Sequence, residues 1–457
     1  MATIDVSIVN ISLPTLVRSL DTDFPTAQWV ALAYTLVITS LMLAAARLGD
    51  MLGVRKPYLL GLGLFTLGSL LCGLAPTAGW LIAFRAFQGL GAALMQALGV
   101  AIVTLTFPPS QRGRALGVVG GIVAIGLALG PPLGGLVIGL WGWRWVFLVN
   151  LPLGLVAWFL SVRFVPPTPP GAGEQRFDMA GACALMACLV CYSLGLTWGQ
   201  IQGFDHALTL VLLAVALAAL AGFVLLELRH PQPMVDLTLF KDPLFSLNLI
   251  MSLISFIQLG GVVVVPFFLE LAQGYTTMQA GLLMMTVPVG MGLVSPWAGW
   301  LSDRYGPRGI SLLGLLLLSL GSYGMSTLHP EVSLWGYMLR ATPIGLGMGL
   351  FQSPNNSAIM GRAPRHRVGQ ASGLVSLART LGNTSGLPLM GAIFTHGVLS
   401  HLPSPLAITQ TPPQVLAAGL RGAYQVATLL ALLATGLALW AWFLDRAASR
   451  GGHQRVE

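Results

Sequence analysis

Charge is what this sequence most lacks. Only 8% of its 457 residues are Asp, Glu, Lys or Arg, against about 25% in soluble domains. Mean hydropathy is +0.80 and 55% of residues are hydrophobic. A soluble fold is excluded, and apolar runs of roughly 20 residues read as membrane spans. Lysine is scarcer still. Lys56 and Lys241 are the only two among 23 basic residues, a bias that points to a GC-rich bacterial genome. Four cysteines exclude a disulfide framework. Cys72 falls in an apolar run, while Cys183, Cys188 and Cys191 share one candidate helix at spacings that match no zinc site, so they read as small packing residues. No phosphate-binding glycine loop, Walker sequence, catalytic triad or metal cluster is present. That excludes an ATP-driven pump and an enzyme, and no cofactor or metal is expected. Energy should come from an ion gradient. The net charge of +8 does not point to nucleic acid, because the basic residues sit in short clusters between spans.

What is there is a repeat. Leu48-Gly49-Asp50-Met51-Leu52-Gly53-Val54-Arg55 and Leu301-Ser302-Asp303-Arg304-Tyr305-Gly306-Pro307-Arg308 share the pattern L-x-D-x-x-G-x-R, 253 positions apart. Arg85 opens R-A-F-Q-G-L-G and Arg340 opens R-A-T-P-I-G-L-G. Gly113-x-Ala115-x-Gly117 returns as Gly369-x-Ala371-x-Gly373. Three matches in register make the halves collinear, as in transporters that work by alternating access.

Charge, Pro and Gly divide the chain into about fourteen spans. They fall near 2–17, 28–47, 57–75, 79–105, 114–138, 144–165, 179–199, 207–228, 244–271, 279–301, 309–328, 333–357, 370–397 and 421–445. With the Asp50 loop taken as cytoplasmic, seventeen basic residues lie inside and only Arg18, Arg144 and Arg421 outside. That asymmetry places both termini in the cytoplasm. The repeat offset exceeds six spans, so the excess forms an insert. The expected division is an N-terminal six-helix bundle over 1–165, a Pro-rich linker with two extra spans over 166–243, and a C-terminal six-helix bundle with a short tail over 244–457. Asp5 stands only four residues after Met1. Either the chain begins at the membrane face or the true start lies upstream, and the second reading is preferred.

The most specific signal is Gly117-x8-Gly126-x3-Gly130-Pro131-x2-Gly134-Gly135. Glycines on one helical face let another backbone approach closely, and Pro131 removes a backbone donor and kinks the span. Such a helix suits a seal that opens and closes, beyond ordinary tight packing.

On these residues the chain resembles the major facilitator superfamily, specifically its fourteen-helix drug:proton antiporter branch. Asp5-Val6-Ser7-Ile8-Val9-Asn10-Ile11-Ser12-Leu13-Pro14 is similar to that branch's first helix, and Gln28-Trp29-Val30-x3-Tyr34 to its second. Arg47-Leu48-Gly49-Asp50-x2-Gly53-x-Arg55-Lys56 resembles the superfamily loop motif, with Ala46 and Met51 as departures. Arg85-x2-Gln88-Gly89-x-Gly91 resembles the fourth-helix motif, and the glycine–proline series the antiporter motif of the fifth. Trp143-Arg144-Trp145-x-Phe147-x2-Asn150-x-Pro152-x-Gly154 is a further hallmark. The match extends to Gly274-Tyr275 and the Arg379 segment.

The resemblance implies an all-α membrane protein of two six-helix bundles related by pseudo-two-fold symmetry, plus two extra helices. It also implies that Asp5 carries the proton and Arg85 modulates it. Intramembrane acids are costly and usually functional. Against this stand an interfacial helix-start acid for Asp5 and a purely structural pair for Arg85. Asp50, Gly53 and Arg55, with Asp303, Gly306 and Arg308, read as latches, or as topology determinants only. Glu270 departs from the glutamine more usual there. A solvated loop-edge carboxylate is preferred over a second protonation site. Asn10, Tyr34, Gln88, Gln258, Asn355 and Asn356 are cavity candidates, and Arg379 either contacts substrate or pairs internally.

The expected function is proton-coupled export of hydrophobic or amphipathic small molecules by a monomer in the bacterial inner membrane. The alternatives are a dedicated exporter of a metabolite, lipid or amino acid, an importer (disfavoured by the fifth-span motif), or a non-transporting truncated relative.

Overall fold

In a computed structural model the described residues are 1–106, 109–166, 178–229, 237–362, 368–402 and 408–453. Side chains of some further helical residues, including Asp50, Asp303 and 109–121, lie outside the described set. The fold is helical among the described residues: α1 (Ala2–Ser19), α2 (Phe24–Leu52), α3 (Arg55–Gly73), α4 (Ala78–Thr106), α5 (Pro109–Trp141), α6 (Trp145–Leu148), α7 (Asn150–Phe164), α8 (Met179–Gln202) and α9 (Ala207–Arg229). There follow α10 (Pro243–Leu259), α11 (Val265–Phe267), α12 (Thr277–Met284), α13 (Thr286–Tyr305), α14 (Pro307–Ser326), α15 (Leu334–Arg362), α16 (Val368–Leu399) and α17 (Pro413–His453). Hydrocarbon offers backbone groups no partner, so apolar segments satisfy them internally as helices.

Local chemistry sets the helix ends. Asp23 caps α2 by accepting from the Thr26 amide at 2.9 Å, with Pro25 in the first turn. Asp242 caps α10 in the same way through the Leu244 amide. Thr276 and Gln279 form a reciprocal capping box on α12. Gly53 ends α2 at φ 77° and Gly306 precedes α14 at φ 84°, a region that favours glycine. The repeated pattern therefore places its glycine at the same backbone turn twice.

Ten helices are long and apolar enough to cross a membrane among the described residues. The four remaining expected spans are also helical, as α1, α5, α15 and α16. The apolar stretch of α5 counted in the described set is only Ala128–Trp141.

The chain divides into two compact units. One holds Met1–Met234, Val265–Met285 and Leu402–Pro412; the other holds Val235–Val264, Thr286–His401 and Pro413–Glu457. The segment 265–285, assigned by sequence to the C-terminal bundle, thus groups with α1–α9. Close backbone approach accounts for this. A Cβ at Gly135 would meet the backbone of Thr277 and Met278, and one at Gly281 would meet the Pro131 carbonyl.

Within each unit the repeat is realised as packing. In the first, a Cβ on Gly91 of α4 would strike the Gly61 carbonyl and the Phe65 amide of α3. In the second, a Cβ on Gly347 of α15 would strike the Gly314 carbonyl and the Leu318 amide of α14. Gly68 against Gln88 is matched by Gly321 against Ile344. Exposed Leu210, Val211, Leu217, Leu225 and Leu228 leave α9 an apolar outer surface, as expected against lipid.

Gly91→Leu and Gly347→Leu should therefore damage their units alike. Overpacking of this kind costs about 1–3 kcal/mol or more, so both variants should unfold in detergent well below the parent temperature. Gly63→Leu and Gly309→Leu, where nothing lies within 4 Å, should match the parent.

Candidate functional site

Asp5, in the first turn of α1, is 1% exposed, and Arg85 of α4 is fully buried. Arg85 Nη1 stands 2.5 Å from Asp5 Oδ2. A charge pair removed from water holds only with further hydrogen bonds, and these are supplied from four helices, α2, α3, α4 and α7. Arg85 Nε donates to the Val30 carbonyl of α2 at 2.9 Å. Arg85 Nη1 also donates to Gln88 Oε1 at 2.6 Å. Gln88 Nε2 donates to Asp5 Oδ1 at 3.2 Å and to Ser69 Oγ of α3 at 2.7 Å. Asn150 Nδ2, at the start of α7, donates to Asp5 Oδ1 at 2.9 Å. The guanidinium lies 4.0 Å from the Tyr34 ring centroid and 5.7 Å from that of Phe147, a desolvated cation–π arrangement.

Gln88 and Tyr34, expected in a substrate cavity, instead belong to this network. Their reach decides it: both are buried within bonding or ring distance of Arg85. Asn150, Phe147 and Ser69 were not picked out as site residues. The signal for the first two lay in the Trp143–Gly154 hallmark; Ser69 carried none.

The fifth-span series lies against α1. A Cβ at Gly126 would meet Ile4, at Gly130 the Ser7 side chain, and at Gly134 Ile8 and Ile11. Gly126, Gly130 and Gly134 thus track α1 past Asp5, while Pro131 and Gly135 face α12. The surroundings of Gly117 lie outside the described residues.

Glu270 sits in a π-helical turn, Phe268–Ala272, after α11. Its side chain is 2% exposed and pairs with Arg18 at the end of α1, Nη2 to Oε2 at 2.5 Å. The solvated loop-edge reading is thereby corrected: the turn tucks the carboxylate against α1. Arg18 itself remains about half exposed.

The loop motifs diverge. Arg55 Nη2 donates to the Val162 carbonyl of α7 at 2.5 Å. Arg308 Nη1 donates to Asn248 Oδ1 at 3.2 Å, and its Nε lies 3.6 Å from Asp445. Arg362 joins Asp445 at 2.6 Å and Asp242 at 3.5 Å. Of this four-charge cluster, drawn from the α10 cap and from α14, α15 and α17, the sequence pointed to Arg308 alone. The Asp50 and Asp303 side chains fall outside the described residues.

The other cavity candidates are scattered. Asn10 Oδ1 is buried without a described partner. Gln258 Nε2 donates to Ser322 Oγ at 2.7 Å, and Asn355 Nδ2 to the Asn248 carbonyl at 3.1 Å. Asn356 is half-buried. Arg340, the repeat counterpart of Arg85, does not share its setting: it bonds Thr327 Oγ1 and the Gly336 carbonyl.

A buried acid held by one arginine, beside a glycine-lined helix, in a chain of two repeated helical units, agrees with the comparisons. Residues 1–387 match the Major Facilitator Superfamily. The chain belongs to that superfamily. It is a membrane transporter, not an enzyme. It is 35% identical to the multidrug resistance protein Stp of Mycobacterium tuberculosis over 86% of this chain and 73% of that protein. It is 32% identical to the riboflavin transporter RibZ of Clostridioides difficile over 87% and 86%. A solved structure from work on proton dependent oligopeptide transporters superposes with a TM-score of 0.67, at 17% identity, over 98% of this chain and 99% of that one. That likeness shows the fold.

Arg85→Ala strands a buried carboxylate, and Asp5→Ala strands a buried cation; each should cost about 3–5 kcal/mol. The double variant should cost clearly less than their sum. Unfolding of the four proteins in one detergent completes the cycle, and simple additivity would show the pair to be uncoupled.

Proposed function

We propose that this transporter is a proton-coupled antiporter of the fourteen-helix branch that exports hydrophobic or amphipathic small molecules. The observation that carries the proposal is the Asp5–Arg85 pair. Burial opposes ionisation of a carboxylate and a neighbouring cation favours it. Asp5 is buried against Arg85, Gln88 and Asn150, and an acid inside a span is costly and usually functional. Relatives named for multidrug resistance support the exporter reading. Both termini then lie in the cytoplasm, and the membrane is the bacterial inner membrane.

The parts have separate roles. Asp5 loads and releases the proton, and Arg85 sets its affinity. The face of α5 from Gly117 through Gly126, Gly130, Pro131 and Gly134 to Gly135 is the sliding seal. Asp50, Gly53 and Arg55, with Asp303, Gly306 and Arg308, balance the inward and outward states. Asn10, Gln258, Asn355, Asn356 and Arg379 remain candidates for cargo contact. Magnitude permits the cycle. One charge gains about 2.3 kcal/mol per 100 mV and one pH unit adds about 1.4 kcal/mol, which sustains a hundredfold or greater cargo gradient.

A second reading, a dedicated transporter of one metabolite, is supported by the relative named for riboflavin. A substrate screen in everted vesicles separates the two: several unrelated amphipaths moving uphill favour the first, one compound the second.

Asp5→Asn keeps size and hydrogen bonding but cannot ionise. It should abolish uphill transport driven by a pH gradient and leave energy-independent exchange intact. Asp50→Asn should slow interconversion instead. Substrate-induced proton release in detergent checks this. Release that persists in Asp5→Asn and vanishes in Asp50→Asn reverses the two roles.

Because a Cβ at Gly130 meets Ser7, two residues from Asp5, substitution there should act on α1 in steps. Gly130→Ala should slow efflux, and the larger overpacking of Gly130→Leu should abolish it. Normal pumping by a folded Gly130→Leu protein would rule out the seal.

A further inference from the structure

Arg379 differs from the other arginines of the spans. Arg85 has Asp5, and Arg340 has Thr327 and Gly336. Arg379 is half-buried in α16, and among the described residues no hydrogen bond, ion pair or charged neighbour engages its guanidinium. α16 packs against α10, the Gly260–Val263 turn, α15 and α17. Asp445 is the one carboxylate those elements carry, and it is already shared by Arg308 and Arg362. It also lies at the wrong level. α16 and α17 run antiparallel with Gly397 beside Gly419, which puts Asp445 about 12 Å along the axis from Arg379.

Arg379 also lies deep in its helix. Arg379 is eleven residues from the start of α16 and twenty from its end, so about 17 Å and 30 Å from the two ends. A charge at that depth is costly and is kept where it does work. Buried charges are otherwise paired.

We infer that Arg379 is the counter-charge for an anionic group on the transported amphipath: a carboxylate, sulfonate, phosphate or phenolate. The inference rests on the exporter reading and adds a substrate class to it. Guanidinium geometry fits such groups bidentately. Energetics agree, because an anion leaving a cell with a negative interior moves down the potential. Each charge contributes about fiftyfold to the sustainable gradient per 100 mV, so proton entry and anion exit add. A phospholipid headgroup has the same chemistry, and the test must separate the two sources.

The probes are fluorescein, an anionic xanthene, and tetramethylrosamine, a cationic one. Binding is read by fluorescence polarisation on purified protein, and transport in vesicles under a pH gradient. Vesicles are made of phosphatidylcholine alone or with phosphatidylglycerol. Arg379→Gln should weaken fluorescein binding about tenfold or more, leave tetramethylrosamine within twofold, and unfold at or above the parent temperature. Arg379→Lys should restore most of the fluorescein affinity. The difference should persist in pure phosphatidylcholine. The assignment is overturned if the parent binds no fluorescein, if Arg379→Gln binds it as the parent does, if both dyes weaken equally, if Arg379→Gln fails to fold, or if the effect requires phosphatidylglycerol. Arg379-dependent binding without uphill movement of either dye would instead remove the exporter reading and leave the anion assignment in place.

Discussion

The pairing of Asp5 with Arg85 is the interaction on which the first unit depends. Two charges without water demand partners, and the residues of the network come from α1, α2, α3, α4 and α7. The network therefore fixes the arrangement of these helices.

Glycine supplies the complementary constraint. Where side chains would hold backbones apart, Gly61–Gly91 in one unit and Gly314–Gly347 in the other bring them into contact. Membrane helices gain little from the hydrophobic effect against lipid, so close van der Waals approach carries their association. On α5 the same device brings Gly126, Gly130 and Gly134 along the helix that bears Asp5. A flat face tolerates sliding where interlocked side chains would not.

The two halves have kept their packing and parted in their charges. Arg85 is buried in an ion pair, while its counterpart Arg340 caps a helix turn. Arg55 bonds a carbonyl, while Arg308 joins a cluster with Asp242, Asp445 and Arg362. Backbone shape is set by glycines that have no substitute, whereas a charge needs only some partner and is free to find another.

Much was legible in the sequence. Hydropathy, charge asymmetry and three repeated patterns determined a helical membrane transporter with repeated halves, because bilayer thickness and backbone satisfaction leave few alternatives. Asp5 and Arg85 were legible because charge inside a span is rare enough to stand out. What only the tertiary structure decided is which polar groups meet. It put Gln88, Tyr34 and Asn150 around one ion pair, buried Glu270 against Arg18, gathered Asp242 and Asp445 about Arg362, and left Arg379 without a described partner. Periodicity fixes how a residue sits on its own helix, but partnership between helices depends on how far each slides and turns against its neighbours. That is set by the sum of many contacts and is written at no single position.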